Sequence, residues 1–141
     1  MGGYRKYNPD GGFGEYLYRQ VGEPVTANGI TAKIVTRIDD DAYHSSLPAF
    51  SNTSTAYAKR SDKGNHEVEQ LRIYKDRRTA IDFDWGHKHG DCIQGVVHVH
   101  IASEDGNFHS KADDVRYMNN DEIAIYGPLI KALNPNAKFR P

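Results

Sequence analysis

The chain has 141 residues, the size of one ordinary domain that can bury a core without metal or disulfide staples. Its 18 basic and 19 acidic residues give a net charge of −1, so any binding to nucleic acid must rest on local charge. The single cysteine, Cys92, excludes an intramolecular disulfide. No signal peptide is visible, and no apolar run approaches the roughly 18 residues that span a bilayer. We therefore expect a soluble protein.

The first third of the chain predicts an arm, a hairpin and a loop. Residues 1–14 are rich in Gly, Asn and Pro and predict an irregular N-terminal arm. Between Pro24 and Ile38, the pair Asn28-Gly29 separates two β-prone runs, which is the strongest short-range signal for a β-hairpin. Residues 39–41, all aspartate, are expected to end the second strand. A polar loop over residues 45–54 is expected to follow.

The middle of the chain contains three segments in which apolar and polar residues alternate, the pattern of a β-strand with one buried face. The apolar positions are Leu71 and Ile73, then Ile81, Phe83 and Trp85, then Val97, Val99 and Ile101. Short connections over residues 75–78 and 86–95 predict an antiparallel meander of three strands.

The C-terminal part is helical in pattern. Asn119 to Glu122 offers a helix N-cap and first-turn acids, and Pro128 is expected either to restart a helix at its first turn or to break it. The tail from Asn134 is expected to be extended. The sequence thus predicts a single α+β domain over residues 15–141, with an antiparallel sheet made of the hairpin and the meander and with C-terminal helical turns.

Burying the aliphatic side of each meander strand places the other side of all three strands on a common face, because side chains alternate with a period of two. That face would carry Arg72, Tyr74, Asp82, Asp84, His98 and His100. Solvated sheet faces usually carry Thr, Lys and Glu, so this selection of carboxylates, imidazoles, a guanidinium and a phenol favours a functional site.

Four of the seven histidines lie within fourteen residues, as two His-x-His pairs: His87, His89, His98 and His100. Cleavage of RNA without metal needs a base, an acid and a cation near the phosphate. His98, His100 and Arg72 could supply these groups. Tyr74 could donate a hydrogen bond or stack on a base, and Asp84 or Asp82 could orient an imidazole. Under this reading no cofactor is expected.

The same residues suit a metal ion, so a second reading stays open. His87, His89, His98, His100 and Asp84 could hold one divalent ion such as Zn²⁺, with Asp91 nearby. The specific zinc signatures, paired Cys-x-x-Cys and His-Glu-x-x-His, are absent. A third reading makes the histidines structural or incidental.

Positive charge is concentrated locally between Tyr57 and Arg78, which contains seven basic and four acidic residues. We predict that Lys75, Arg77 and Arg78 contact a substrate phosphate, with a solvated hairpin as the alternative. The other three histidines, His44, His66 and His109, are expected to lie solvated in loops.

The segment from Ala56 to Asn107 resembles the C-terminal toxin modules of bacterial polymorphic and contact-dependent toxins, and related phage-encoded domains. The resemblance rests on Glu69-Gln-Leu-Arg-Ile-Tyr74, Asp82-Phe-Asp84, the His-x-His pairs at 87 and 98, and Glu104-Asp-Gly-Asn107. It matches Arg72, Tyr74, Asp82, Asp84, His87, His89, His98 and His100, without assigning roles to them.

This resemblance implies a small nuclease, commonly an RNA-cleaving domain on an α+β scaffold, that is carried by a longer secreted protein and neutralised by an immunity protein. The leading prediction is therefore an endoribonuclease that acts in the bacterial cytoplasm on an RNA substrate by metal-independent histidine chemistry. The alternatives are a metal-dependent nuclease or hydrolase, and a phage or bacterial accessory protein that binds a partner or ligand. No membrane partner is expected.

Overall fold

The computed structural model describes residues 4–7, 16–51, 54–88, 92–102 and 115–141. These residues form nine β-strands and one α-helix. The strands are β1 (Tyr4–Tyr7), β2 (Tyr16–Gln20), β3 (Val25–Ala27), β4 (Ile30–Arg37), β5 (Ala56–Arg60), β6 (Val68–Lys75), β7 (Arg78–Asp84), β8 (His98–Ile101) and β9 (Arg116–Tyr117), and the helix is α1 (Asn120–Leu133).

The strands form one open sheet with neighbours in the order β1-β2-β4-β5-β6-β7-β8-β9, while β3 pairs with β4 outside this path. Every pairing between these named strands is antiparallel except that of β4 with β5. The prediction of a wholly antiparallel sheet is thus wrong at this one pair. The physical reason is the length of the connection, because β4 ends at Arg37 and β5 begins only at Ala56, whereas a hairpin connects antiparallel strands through a few residues.

Strand β1 is also a departure from the sequence prediction. Tyr4–Tyr7 pairs in register with Tyr16–Gln20. Hydrogen bonding to a neighbouring strand outweighs the Gly, Asn and Pro content that predicts an irregular arm over residues 1–14. The other residues of that range lie outside the described part of the chain.

The three-strand meander is confirmed by the register. Leu71 of β6 lies opposite Phe83 of β7, and Phe83 lies opposite Val99 of β8. These apolar side chains form the core together with Leu129 and Ile130 of α1, and all five are at most 1% exposed. One face of the sheet is therefore closed by the helix, as the α+β prediction requires in outline.

The hairpin at Asn28-Gly29 is confirmed too. Both residues have positive φ, 52° and 77°, as a tight two-residue turn between paired strands requires. The Asn28 amide also reaches α1, where it donates to the carbonyls of Ala124 and Ile125 at 3.4 and 3.0 Å.

Helix α1 begins at the predicted cap. The Asn119 side chain accepts from the Glu122 backbone N–H, and the Glu122 carboxylate accepts from the Asn119 backbone N–H, both at 2.8 Å. Pro128 lies inside this single helix, so the prediction that it restarts or breaks a helix is wrong. Proline cannot donate to the carbonyl four residues earlier, and Asn28 supplies a donor to that group, Ala124 O.

The C-terminal tail turns back to the sheet. The Ala137 N–H donates to the Asn134 carbonyl, and Lys138 forms a bridge with Val96. Among the described residues, no helix is both long enough and apolar enough to cross a membrane.

Candidate metal centre

The polar face of the meander is organised in two rows, because residues in register share a face across neighbouring strands. One row runs through Gln70, Asp84, His98 and Tyr117, on β6, β7, β8 and β9. The next row runs through Tyr57, Arg72, Asp82 and His100, on β5, β6, β7 and β8. The common face that alternation predicts is therefore present.

Part of this face is interior. Arg72 binds Asp82 through Nε at 2.9 Å and Nη2 at 3.2 Å, and its Nη1 donates to the Leu47 carbonyl at 3.1 Å. The side chains of Arg72 and Asp82 are only 12% and 9% exposed. Gln70 donates a further hydrogen bond to Asp82 at 2.6 Å. Burial opposes the charge on Arg72, but the Asp82 carboxylate outweighs it, so the pKa of Arg72 lies above its usual value.

Tyr74 has a similar position. Its hydroxyl donates to the Pro48 carbonyl, and it packs in a second buried cluster with Tyr18, Leu47 and Tyr57. Burial raises the pKa of Tyr74 well above its usual value, so the phenol stays neutral. The structure thus uses Arg72 and Tyr74 to hold the loop after β4 against the sheet. The alternating pattern predicts on which face Arg72 and Tyr74 lie, but it does not predict that the loop after β4 covers them.

The other part of the face brings three predicted metal ligands together. One ligand atom each from Asp84, His87 and His98 lies within 4.8 Å of the other two. Asp84 and His98 lie directly opposite each other at adjoining ends of β7 and β8. His87 follows in the turn after β7, with its Nδ1 3.4 Å from Asp84 Oδ1. Gly86 shapes this turn by donating its backbone N–H to Asp84 Oδ1 at 2.9 Å.

Exposure increases from one side of this cluster to the other. His98 is fully buried and Asp84 is 9% exposed, whereas the His87 side chain is 58% exposed. Burial raises the pKa of Asp84 to about 6, although the nearby His87 acts in the opposite direction. A buried carboxylate between imidazoles is costly to ionise, and a divalent cation would offset that cost. The exposed side would admit water or a substrate.

The remaining predicted histidines divide into two groups. His100 is half-buried, lies opposite Asp82, and has its ring centroid 5.6 Å from that of His98. His89 lies outside the described residues, as do Asp91 and His109.

Two histidines predicted to be solvated differ in their surroundings. The His44 side chain is 69% exposed and contacts Asp62 at 2.9 Å. His66 is half-buried, binds the Ser61 carbonyl through Nδ1 at 2.8 Å, and packs against Tyr43.

The basic residues predicted to bind substrate are placed elsewhere. Lys75, Arg77 and Arg78 surround the turn between β6 and β7, where Arg77 has a φ of 69°. Asp84 is at the opposite end of β7, roughly 20 Å away at about 3.3 Å per residue. In an antiparallel meander, successive connections lie at opposite ends of the strands. The turn between β6 and β7 is therefore too far from the histidine cluster to contact it.

Sequence reasoning missed two residues on the row of the cluster. Gln70 is two residues before Arg72 on the same strand, so alternation predicts that it lies on the same face. Tyr117 is on the short strand β9. The Tyr117 hydroxyl accepts from the Ile93 N–H at 3.1 Å and so ties the connection after Cys92 to this edge. Cys92 itself is buried, at 3% exposure.

Two imidazoles and one carboxylate with an open side form a donor set that suits Zn²⁺ and related divalent ions, because catalytic zinc sites use three protein ligands and leave a position for water. Comparison with known proteins gives no further guide, since no family model, curated protein or solved structure matches this chain. The resemblance to toxin modules stays a prediction.

Proposed function

We propose that this protein is a divalent-metal-dependent hydrolase that cleaves phosphodiester bonds in RNA. Its metal would be held by Asp84, His87 and His98. The observation that supports this proposal is the convergence of three ligand atoms within 4.8 Å at adjoining ends of β7 and β8. The donor set supports a metal-dependent hydrolase, and cleavage of RNA rests on the resemblance to toxin modules.

We prefer this proposal to the hypothesis of metal-free acid–base chemistry, because two of the side chains which that chemistry needs are not accessible to a substrate. A general acid or base has to come within hydrogen-bond reach of the reacting group, and His98 is fully buried. The cation of the metal-free reading, Arg72, binds Asp82 and loop carbonyls. A metal ligand can be buried, because only the ion has to contact the substrate.

A divalent ion at this site would polarise a phosphoryl oxygen and lower the pKa of a water molecule. The protein residues supply its position: Asp84 and His98 are fixed by facing strand ends, and His87 is oriented by the turn. The exposed side of His87 would form the entrance for the substrate.

The first test is metal binding, measured by titrating the purified protein with Zn²⁺ and with Co²⁺. We expect one equivalent to bind, and we expect the bound Co²⁺ to show the visible absorption of an ion with a low coordination number. His87→Ala and Asp84→Asn should weaken binding at least tenfold. His44→Ala is the matched control, because His44 is also exposed and also contacts an aspartate through Nδ1. Equal affinity in all four proteins would remove the metal site.

The second test is cleavage of labelled RNA by the Zn²⁺-loaded protein. We expect activity that a chelator abolishes and Zn²⁺ restores, and that His87→Ala lacks. Cleavage that persists in chelator, and is lost in His100→Ala, would instead support the metal-free mechanism. Metal binding without cleavage of RNA would favour the accessory protein that binds a ligand or partner.

A cellular test follows from the toxin resemblance. Under this proposal, expression in the bacterial cytoplasm without an immunity protein slows growth, and His87→Ala relieves the effect at equal protein level. Equal growth of cells expressing either protein would count against a toxin role while leaving the metal chemistry to the tests above.

A further inference from the structure

We propose that Glu69 is a catalytic residue of this site, the general base that removes a proton from the attacking water. The inference rests on the proposed function and adds a residue that lies outside the cluster formed by Asp84, His87 and His98. Three features of the fold support it: a β-bulge, a glycine in the turn and a neighbouring lysine.

The β-bulge lies between β5 and β6. Lys59 pairs with Gln70 and the next residue, Arg60, pairs with Val68, which leaves Glu69 as the extra residue of β6. A bulge bends the strand and re-aims the side chain at that point. Gln70 lies in register with Asp84, on the polar face of the sheet. Strict alternation would place Glu69 on the other face, but a residue at a bulge does not follow that alternation.

Gly86 shows where the Glu69 side chain lies. A Cβ atom added at Gly86 would be 2.1 Å from Glu69 Oε2, 2.7 Å from Cδ and 2.8 Å from Cβ. Gly86 is not among the residues with positive φ, so the backbone conformation does not require glycine there. The missing side chain instead gives room for the Glu69 carboxylate against the turn that carries Asp84 and His87.

Lys59 completes the arrangement. Its Nζ is 3.5 Å from Glu69 Oε1, and the two side chains are 17% and 20% exposed. This ion pair holds one oxygen of the Glu69 carboxylate in place at the bulge. Because Lys59 contacts Oε1 and Gly86 faces Oε2, the two carboxylate oxygens have different neighbours.

The step balances as follows. Glu69 Oε2 takes one proton from a water molecule as the water oxygen forms a bond to the phosphorus of the RNA diester. The bond from phosphorus to the leaving ribose oxygen breaks, and the proton passes from Glu69 to that oxygen. The products are a phosphate monoester and a free hydroxyl, and the carboxylate is regenerated.

The test compares Glu69→Gln with wild type in two measurements, Co²⁺ affinity and turnover of labelled RNA and of bis-p-nitrophenyl phosphate. General-base catalysis is worth roughly 10²- to 10⁴-fold, so we expect a loss of at least 100-fold in kcat with Co²⁺ affinity and spectrum unchanged. Glu67→Gln is the matched control, an exposed carboxylate two residues away, and should keep wild-type turnover. Wild-type turnover in Glu69→Gln would overturn the inference.

Gly86→Ala is a second variant that should lower kcat, because the new Cβ would displace the Glu69 side chain. In a Glu69→Gln background, Gly86→Ala should reduce kcat little further, since both changes remove the same group. Full and independent losses from the two changes would contradict a shared role. Failure of wild type to bind Co²⁺ would instead overturn the proposed metal site itself, which separates the two claims.

Discussion

Asp84 is a residue whose burial opposes its own ionisation. Its pKa is raised to about 6 from an ordinary 3.8, with burial as the main cause. The folded state therefore holds the proton more tightly than the unfolded chain. The associated stability is present below pH 3.8 and is lost as pH rises through about 6.

We predict from this that Asp84→Asn stabilises the metal-free protein above pH 6. The gain should be up to about 3 kcal/mol at pH 8, because each pKa unit corresponds to about 1.4 kcal/mol, and it should vanish below pH 4. Asparagine can still accept the Gly86 N–H. Urea denaturation at both pH values measures the effect, and a destabilised variant at pH 8 would contradict it.

Arg72 has the opposite role, since it neutralises a buried charge. We predict that Arg72→Met costs about 3–5 kcal/mol of unfolding free energy at pH 7, because Asp82 would lose its cation while still buried. Arg37→Met is the matched control: Arg37 also contacts an aspartate through Nε and Nη2, but Asp39 is 63% exposed. The control should cost less than about 1 kcal/mol in the same denaturation experiment.

At the scale of elements, the β3–β4 hairpin and α1 depend on each other through Asn28. We predict that Asn28→Asp destabilises the protein by about 1–2 kcal/mol, because Asp-Gly preserves the tight turn while the amide donor to Ala124 and Ile125 is lost.

A double-mutant cycle tests this explanation. Pro128→Ala restores an N–H donor to the Ala124 carbonyl, so Asn28→Asp should cost less in that background. The same cost in both backgrounds, measured by thermal unfolding, would show that Asn28 does not compensate for the proline.

The elements themselves were predictable where one local rule decided the outcome. Alternation over Leu71 to Ile73 and Val97 to Ile101 defined strands and faces, and Asn28-Gly29 defined a turn. The effect of Pro128 is not predictable locally, because the donor that compensates at the Ala124 carbonyl comes from Asn28, 96 positions from Ala124.

The site was predictable to the same extent. A period of two brings Asp84 and His98 onto one face. The alternation cannot show that a distant loop covers Arg72, or that the basic turn lies at the opposite ends of the strands. It also cannot show that β6 has a bulge at Glu69. Each of these depends on contacts between segments far apart in the chain.

For the whole molecule, metal binding should appear as added stability. A ligand that binds only the folded state at 100 times its Kd contributes about 2.7 kcal/mol. We predict that Zn²⁺ raises Tm at pH 7.5 and that the increase shrinks as pH falls below about 6, since protons compete for Asp84. His87→Ala should show little increase at either pH. A pH-independent increase in wild type would place the bound ion elsewhere.

The parallel pairing of β4 with β5 has a consequence for the order of folding. Strands β5 to β7 are joined by short connections and pair as antiparallel neighbours, whereas the parallel pairing of β4 with β5 requires the long connection between Arg37 and Ala56 to close. Loop closure costs entropy before its contacts form, so the bond from Tyr74 to Pro48 should be absent at the folding barrier. Tyr74→Phe should then speed unfolding and leave the refolding rate nearly unchanged in stopped-flow experiments. Slower refolding would instead show that the hydrogen bond from Tyr74 to Pro48 forms early.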